Sequence, residues 1–304
     1  MQNIRISTDI DECRSLWEKT ITYRCLFDLW EVRMCFHKHF DRRPYFIILE
    51  ETGITKGLFP LSYISETDSY AFFPGETHKN KTWLEQNRIF SKDIDEYQDL
   101  IDHKPDNSHI RYLVPDVLEY EPDISVDEIK YFFYPPKYLY SINNYWQEFS
   151  GKSRKKLKEE MDKIKSLGIE WRVNNQDDVQ KFIDMNIKSF GEDSYYSDDK
   201  FRNSFLDLVD FMRKNNYLRI VTAMVNGEIA AIDIGSVYNN IYTLLAGGTN
   251  PNFLGIAKVI NLNHMEWACD NKIDAVDFLC GDFGWKERFH LSAVPLYHYQ
   301  KIEK

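Results

Sequence analysis

The sequence has few cysteines and no long apolar run. Its five cysteines include no C-x-x-C pair. An odd number without paired spacing is typical of reduced thiols in a core rather than of a disulfide framework. No apolar stretch approaches the roughly 20 residues that span a bilayer, and no basic-then-apolar signal peptide opens the chain. We therefore expect a cytoplasmic protein without a membrane span.

Several catalytic signatures and an excess of positive charge are also missing. The chain has no Gly-Lys-Ser/Thr phosphate loop and no serine nucleophile elbow. His37 and His39 would point to different faces of a helix, and we expect no metal site. Lys and Arg number 38 against 48 Asp and Glu, which gives a net charge of −10. This balance argues against broad binding of nucleic acid, which needs a positive surface.

Length and composition indicate an ordinary folded protein with two domains. The 304 residues are 43% hydrophobic and 15% aromatic, and a chain of this length divides well into two domains of about 150 residues. We predict a mixed α/β fold, with an N-terminal domain over residues 1–145 and a C-terminal domain over residues 146–304. The first half looks like a looser copy of the second, and its segment 82–90 has a helical pattern.

The most informative stretch predicts a strand, a turn, a helix and a second strand. An apolar run over 241–246 is followed by a glycine-bearing turn over 247–252. A helical pattern then extends from Phe253 to about Asn271, and a second apolar run covers 274–280. A helix that begins between two such strands presents free backbone N–H groups and a partial positive charge to an anion. Gly255 lies at this start, where a side chain would keep a phosphate away from the amides.

Two sets of residues resemble the GNAT acyltransferases. The segment Asn252-Phe253-Leu254-Gly255-Ile256-Ala257 resembles their pyrophosphate-binding pattern Gln/Arg-x-x-Gly-x-Gly/Ala, with Asn252 in place of the first residue. More specifically, three segments resemble a double-GNAT branch that contains Fem-type aminoacyltransferases and BioF2-like or polysaccharide-biosynthesis acyltransferases. These segments are Ser153-Arg154-Lys155-Lys156-Leu157, Asp277-Phe278-Leu279, and the corner Gly281-Asp282 with Trp285-Lys286.

This resemblance implies two tandem GNAT-like lobes, of which the C-terminal one is complete and the N-terminal one degenerate. It implies an acyltransferase that uses acetyl-CoA or another acyl-CoA and needs no metal. The acceptor would be a primary amine on a small molecule, an amino sugar or a cell-envelope precursor. The donor would be held by Asn252, Leu254, Gly255, Ile256, Ala257 and Lys258. The preceding strand, at Leu245, would offer a backbone N–H to the thioester carbonyl.

Two carboxylates are alternative candidates for the general base that an amine acceptor requires. Asp233 lies within the apolar run Ala230-Ala231-Ile232-Asp233-Ile234, where an unpaired carboxylate is costly unless it faces a wet cleft. Asp282 follows a strand end, where ligand crevices of α/β folds open, although it could instead cap the turn at Gly281. Lys286, in the same corner, is a further catalytic candidate: it could neutralise the tetrahedral intermediate, bind a carboxylate or phosphate of the acceptor, or remain a solvated surface lysine.

Four further residues are candidates for acceptor binding. Arg154 and Lys158 lie one helical turn apart in a basic helix that could equally be a solvated face. Phe283 and Trp285 could line the acceptor site or pack in the core.

Two other functions remain open at this point. An aminoacyl-tRNA-dependent ligase is favoured by the basic run over 152–165 and disfavoured by the acidic total. A non-catalytic ligand-binding protein that kept the fold is favoured by Asn252 in the place of Gln or Arg.

Overall fold

The computed structural model describes residues 2–79, 81–115, 124–281 and 284–299, and these form two compact units. Unit 1 comprises Met1–Ile129, Asp198–Phe211 and Pro295–Lys304, and unit 2 comprises Lys130–Ser197 and Met212–Val294. Helices and strands alternate in both, which confirms the predicted mixed α/β class. The boundary between residues 145 and 146 stays a prediction about domains.

The helices and strands are numbered here in chain order. The strands are β1 Gln2–Ser7, β2 Arg43–Glu51, β3 Ile54–Ile64, β4 Ser69–Phe72, β5 Ile110–Leu113, β6 Ile124–Phe133, β7 Ile169–Val173, β8 Leu218–Val225, β9 Glu228–Tyr238, β10 Ile241–Thr249, β11 Ala275–Asp277 and β12 Ser292–Tyr299. The α-helices are α1 Ile10–Thr20, α2 Trp30–Phe40, α3 Ile94–Asp102, α4 Ile142–Tyr145, α5 Gly151–Lys165, α6 Asp177–Phe190, α7 Asp199–Lys214 and α8 Ile256–Asp270.

Unit 1 is built on an antiparallel sheet in the order β1-β2-β3-β4. Helices α1 and α3 pack on this sheet, and its core is strongly aromatic: Trp17 contacts Trp30, Phe46 and Phe73 at centroid distances of 5.7, 6.3 and 6.0 Å. The middle parts of β2 and β3 are buried at successive residues, Phe46 to Leu49 and Gly57 to Ser62, so both faces of the sheet are covered there.

The segment 82–90 of unit 1 is extended, so the helical prediction there is wrong. The N–H groups of Trp83 and Leu84 donate to the buried carboxylate of Glu76 at 3.2 and 2.8 Å. Leu58 and Phe90 then exchange both of their backbone hydrogen bonds, at 2.8 and 2.9 Å. These backbone groups are therefore satisfied outside a helix, although the spacing of apolar residues resembles a helical face.

Unit 2 contains the sheet order β6-β11-β10-β9-β8-β7, to which β6 contributes its residues from Lys130 onward. The strands from β7 to β10 are antiparallel neighbours, whereas β10 and β11 run parallel. Helices α6 and α8 pack against this sheet, and α5 packs against α8. The parallel pair with its crossover helix α8 is the predicted strand–turn–helix–strand unit.

Candidate functional site

The parallel strands β10 and β11 separate at a defined point. Their pairing ends at Thr243 and Asp277, whereas β10 continues to Thr249. Past Asp277 the chain follows β6 instead, because Phe278 N–H donates to Tyr131 O at 2.9 Å. In the described residues, the part of β10 beyond Thr243 thus has no strand partner on this side. Its backbone groups there are available to a ligand.

A β-bulge lies in the same part of β10. On the side of β9, Leu244 pairs with Gly235 and Ala246 pairs with Ile234, so Leu245 has no opposite residue. A bulge leaves one residue of the ladder unpaired and often lies beside a functional site. The side chain of Leu245 is buried, which fixes the backbone at the place where an N–H donor was predicted.

The turn after β10 delivers the chain to the start of α8. Asn250 anchors this turn, since its N–H donates to Ala230 O at 2.8 Å and its carboxamide oxygen accepts from Asn252 N at 3.0 Å. Leu254 is 85% exposed, and Ala257 and the side chain of Asn252 also face solvent. Gly255 is the N-cap of the 15-residue helix α8 and has no side chain that could cap it. The N–H groups of Ile256 and Lys258 donate to Phe253 O and Gly255 O at 3.1 and 3.0 Å, so among these first-turn amides only that of Ala257 has no hydrogen-bond partner in the described residues.

Two physical reasons require glycine at position 255. Its φ is +89°, a left-handed conformation that L residues with a side chain rarely adopt. A Cβ at this position would also lie 2.6 Å from Ile164 Cδ1 on α5. Gly255 is thus needed for the turn and for α5–α8 packing, and the structure does not make phosphate approach the reason for it.

The ammonium of Lys258, predicted to bind the donor, is engaged by another side chain. It forms an ion pair with Glu160 on α5, and this hydrogen bond lowers the pKa of Glu160. Each side chain is more than one-third exposed, so the pair is weak and can exchange for a ligand phosphate. Ile256, in contrast, is buried and places only its backbone at the helix start.

A buried hydrogen-bonded chain connects β10, α8 and β9. Tyr242 Oη lies 3.0 Å from His264 Nδ1, and His264 Nε2 lies 2.8 Å from Asp233 Oδ2. His264 and Tyr242 are fully buried, and burial raises the pKa of Tyr242, which keeps its hydroxyl protonated. With a hydrogen on Nε2, His264 satisfies both bonds: Nδ1 accepts from the hydroxyl and Nε2 donates to the carboxylate.

The second oxygen of Asp233 faces the end of β10. Asp233 pairs in register with Gly247, and a Cβ on Gly247 would lie 2.2 Å from Asp233 Oδ1. Gly247 is exposed and the Asp233 side chain retains 13% exposure, so this oxygen is near solvent. Oδ1 makes no hydrogen bond with the residues that the structure describes. It is thus a free carboxylate oxygen, two residues from the bulge, on a side chain held by His264.

Arg219 on β8 lies at the Tyr242 end of this series of hydrogen-bonded side chains. Its guanidinium carbon lies 3.8 Å from the centroid of the Trp267 ring and 5.7 Å from that of Tyr242. Burial lowers the pKa of Arg219, while the neighbouring tyrosine opposes this effect. Stacking on two rings fixes the guanidinium and packs α8 onto the sheet.

Lys286 is buried rather than solvated. Its ammonium donates to the carbonyl oxygens of Phe278, Leu279 and Cys280 at 2.9, 2.9 and 2.8 Å. These carbonyls belong to the chain that leaves β11, so Lys286 holds this segment on the course that separates it from β10. Lys286 therefore stabilises the point at which β11 and β10 separate.

The other predicted site residues of this corner are Asp282, Phe283 and Trp285. Asp282 and Phe283 lie outside the described residues. Trp285 is half-buried and packs edge-on against Phe278 and Phe289 at centroid distances of 5.4 and 5.5 Å. Its observed contacts are those of a packing residue.

Arg154 and Lys158 both contact Trp146. Arg154 donates to Trp146 O at 3.3 Å and to the carboxamide oxygen of Gln147 at 3.2 Å. The Lys158 ammonium lies 5.1 Å from the centroid of the Trp146 ring. These contacts fix the start of α5 on the preceding turn, while Lys158 keeps an exposed side chain.

Sequence reasoning missed His264 and the ion pair between Lys130 and Asp277. These two charged residues lie on β6 and β11, their charged atoms are 2.6 Å apart, and each side chain is 1% exposed. An isolated lysine in the strand pattern of β6 carries a signal, because a buried charge requires a partner. His264 carries a similar signal, since it occupies the apolar face of a helix whose neighbours Ile260 and Met265 are buried.

Comparisons with known proteins give one domain match and several structures of similar fold. Residues 151–287 match the family described as an acetyltransferase (GNAT) domain, whereas no curated protein sequence matches the chain. FemX is similar in structure with 9% identity and a TM-score of 0.59, over 98% of this chain and 97% of that one. A conserved protein of unknown function from Bacteroides thetaiotaomicron VPI-5482 has 13% identity, a TM-score of 0.58 and coverages of 97% and 98%. A tandem GNAT protein from the clavulanic acid biosynthesis pathway has 9% identity, a TM-score of 0.50 and 98% coverage of both chains.

At these identities the structural likeness concerns the fold, and it confirms the predicted class of two tandem GNAT-like lobes. The domain match supports acyl transfer as the general type of reaction. The BioF2-like branch stays a prediction. Within the described ranges, no helix is long and apolar enough to cross a membrane, and no cluster of three or more His, Cys, Asp or Glu side chains is arranged to hold a metal ion.

Proposed function

We propose that the protein transfers an acyl group, acetyl in the simplest case, from acyl-CoA to a primary amine. The acceptor class is a small molecule, an amino sugar or a cell-envelope precursor. The observation that carries this proposal is the coincidence of three features at one end of β10. The strand pair separates at Thr243, the bulge lies at Leu245, and the free oxygen of Asp233 lies over Gly247.

The start of α8 provides the site for the pyrophosphate of the donor. The unbonded N–H of Ala257, the partial positive charge of the helix and the ammonium of Lys258 attract a phosphate. The pantetheine arm would then enter where β10 has lost its partner β11, and its amide groups would bond the unpaired backbone of β10. A ligand in extended conformation can satisfy such a strand edge.

The chemistry requires a carbonyl to be polarised and a proton to be removed. The amine nitrogen attacks the thioester carbon, and the backbone N–H at the bulge of Leu245 stabilises the developing oxyanion. A C–N bond forms, the C–S bond breaks, and the sulfur leaves as coenzyme A thiol after it takes a proton. Asp233 Oδ1 accepts the proton of the amine, directly or through water. Positioning and oxyanion stabilisation supply most of the barrier reduction, so no covalent enzyme intermediate is required.

His264 acts on Asp233 as a positioning residue. Its Nε2–H holds Oδ2, which leaves Oδ1 as the oxygen that meets the amine. Tyr242 in turn fixes the His264 tautomer by donating to Nδ1. This arrangement resembles the way other enzymes orient a base through a third group.

A second candidate donor is aminoacyl-tRNA, with the chain acting as a Fem-type transferase. The exposed basic side chains of Lys152, Lys155 and Lys156 near the start of α5 favour it, since they form a local positive surface on an acidic protein. The two donors predict different dependences of binding affinity on salt concentration.

The proposal is tested by thermal-shift titration and calorimetry with acetyl-CoA. A ligand that binds only the native state stabilises it by about 2.7 kcal/mol at 100 times its Kd. The diagnostic variant is Ala257→Glu, whose carboxylate enters the first turn of α8 and repels a phosphate. Ala257→Gln is the matched control, because it adds the same volume without charge. A carboxylate at a helix start also favours folding, so lost binding in Ala257→Glu would not reflect unfolding.

We expect acetyl-CoA to stabilise the native protein and Ala257→Gln, and to have a much smaller effect on Ala257→Glu. Gly255→Glu is less informative, since it would also strain φ and collide with Ile164. The absence of any shift with acetyl-CoA, together with salt-sensitive binding of aminoacyl-tRNA, would favour the second donor. Absence of both would leave a non-catalytic ligand-binding protein.

A further inference from the structure

Unit 1 contains a cavity of about 550 Å³, and none of its lining residues is among those assigned to acyl transfer. Its walls combine apolar side chains, among them Phe72, Leu84 and Ile110, with charged ones. Cavities of this volume are typical of small-molecule sites, in which a few polar groups orient a ligand against apolar walls.

Arg33 is one of the charged residues that line this cavity. It is 2% exposed, and its Nε donates to Phe27 O at 2.8 Å. Its Nη1 donates to Phe73 O at 3.1 Å and to Asn87 Oδ1 at 2.9 Å. Nη2 makes no hydrogen bond with any residue in the described ranges. The guanidinium of Arg33 is therefore held rigidly, while the two N–H donors of Nη2 are unused.

Glu76 is the matching buried carboxylate. It is 2% exposed, and its Oε1 accepts from the Thr82 hydroxyl at 2.5 Å and from the N–H groups of Trp83 and Leu84. Oε2 has no hydrogen-bond partner in the part of the chain that the structure describes. The carboxylate is thus fixed through one oxygen while the other remains available.

Arg33 and Glu76 do not neutralise each other by direct contact, because no ion pair within 4.0 Å joins them in the described chain. The other charged residues on the wall, Arg111 and Asp127, are satisfied by each other through two hydrogen bonds to Oδ1 at 3.0 and 2.6 Å. Burial lowers the pKa of Arg33 and raises the pKa of Glu76, while their mutual attraction partly opposes both shifts. Two opposite charges, buried and incompletely bonded, are costly without a ligand that completes them.

We propose that this cavity binds a small zwitterion of the α-amino acid class, whose carboxylate contacts Arg33 and whose ammonium contacts Glu76. One molecule then completes the hydrogen bonding of both side chains. The guanidinium suits a planar carboxylate, and the three hydrogens of an ammonium suit a carboxylate oxygen. The apolar wall formed by Phe72, Leu84 and Ile110 receives the amino acid side chain. This site goes beyond the proposed acyl transfer and does not depend on it.

The test is calorimetric titration of the full chain with each of the twenty common L-amino acids in the absence of any acyl donor. For each amino acid that binds, the corresponding amine without the carboxylate and acid without the amine are titrated as well. We expect at least one amino acid to bind, and both truncated forms to bind at least 10-fold more weakly, because each loses a charged hydrogen bond. If no amino acid binds, or if a truncated form binds equally well, the proposal is wrong.

Three variants locate the site. Glu76→Gln retains the acceptor for Thr82 and replaces the free oxygen by an amide, so we expect binding to weaken about 10- to 100-fold. Arg33→Gln removes the carboxylate partner, with an effect of similar size. Ala71→Phe fills the cavity from its partly exposed wall without altering either charge, and keeps the test decisive if the charge variants fail to fold.

The matched control is Glu31→Gln, which removes an exposed carboxylate on the same helix as Arg33. We expect it to bind the amino acid as the native protein does. Unchanged affinity in folded Glu76→Gln and Ala71→Phe proteins would overturn the assignment. Acetyl-CoA binding, measured in parallel, should be unaffected by Glu76→Gln, so the two proposals can fail separately.

Discussion

In the proposed reaction Asp233 accepts the proton, and His264 holds the Asp233 carboxylate in its orientation. The carboxylate has one oxygen on His264 and one free oxygen over Gly247. Asp233→Asn removes the base and is expected to lower kcat by about 10²- to 10⁴-fold. His264→Gln leaves the carboxylate but releases its orientation, and we expect kcat to fall by about 10- to 100-fold with little change in KM. Steady-state kinetics with acetyl-CoA and an amine acceptor measure both.

Tyr242→Phe is the graded control for these variants. It keeps the ring that packs on Trp267 and removes only the hydroxyl that fixes the His264 tautomer. Its effect on kcat should therefore be smaller than that of His264→Gln. Equal kcat for the native protein and Asp233→Asn would exclude Asp233 as the base.

At the scale of single residues, the sequence shows which side chains are candidates for chemistry, but not which side chains they bond to. Asp233 stands out because it interrupts an apolar strand, where a carboxylate needs a reason to be present. Its partner His264 is 31 positions later and on a different element. Only the return of α8 onto the sheet brings the two together. Lys286 shows the opposite case, since its residue type suggests an anion site while the fold directs it to backbone carbonyls.

At the scale of elements, the junction between α5 and α8 depends on Gly255. Gly255→Ala imposes a side chain at φ +89°, which we expect to cost about 1–2 kcal/mol of unfolding free energy. The contact with Ile164 Cδ1 adds less, because that atom is the end of a flexible side chain. Urea denaturation of the native protein and of Gly255→Ala, each with and without Ile164→Val, separates the two contributions. If the cost vanishes in that background, packing rather than φ is the reason for glycine.

The buried ion pair between β6 and β11 should behave as a unit. Lys130→Met leaves the Asp277 carboxylate buried without its cation, and we expect this to cost about 3–5 kcal/mol. The double variant Lys130→Met/Asp277→Leu removes both charges and should recover most of that loss. Denaturant unfolding of the two single variants and the double variant completes the cycle. Additive losses would mean that the two charges act independently.

The order of elements in unit 2 was predictable because each element carries a local signal. The alternating or continuous apolar pattern identifies strands β8 to β10, and the turns Asn226-Gly227 and Asn239-Asn240 separate them. Gly247 and Gly248, predicted as turn residues, instead belong to β10. The helical pattern of the segment 82–90 was misleading, since Glu76 accepts the N–H groups of Trp83 and Leu84 and holds this segment outside a helix. The strand separation at Thr243 was also invisible locally, because it depends on β6 taking over the chain after Asp277.

At the scale of the whole molecule, the compact units do not follow the order of the chain. Asp198–Phe211 belongs to unit 1 although residues on both sides of it belong to unit 2. Phe201 and Phe205 pack on Trp83 at centroid distances of 5.7 and 6.0 Å. The amphipathic pattern of α7 predicts a helix with an apolar face, but no sequence pattern states which sheet or helix that face covers. A division by chain position alone therefore could not anticipate this exchange.

The net charge of −10 makes the salt dependence of binding a way to distinguish acyl-CoA from aminoacyl-tRNA as the donor. An acidic protein binds a polyanion only through local sites, so its affinity reports how many phosphates it contacts. For acyl-CoA, a few phosphates at the start of α8 should give a shallow dependence on salt. A tRNA whose phosphates contact Lys152, Lys155 and Lys156 would lose roughly 20- to 40-fold in affinity between 50 and 200 mM salt through these three contacts. Calorimetry with each donor across this range measures the slopes, and a steep tRNA slope that Lys155→Gln reduces would assign the donor to tRNA.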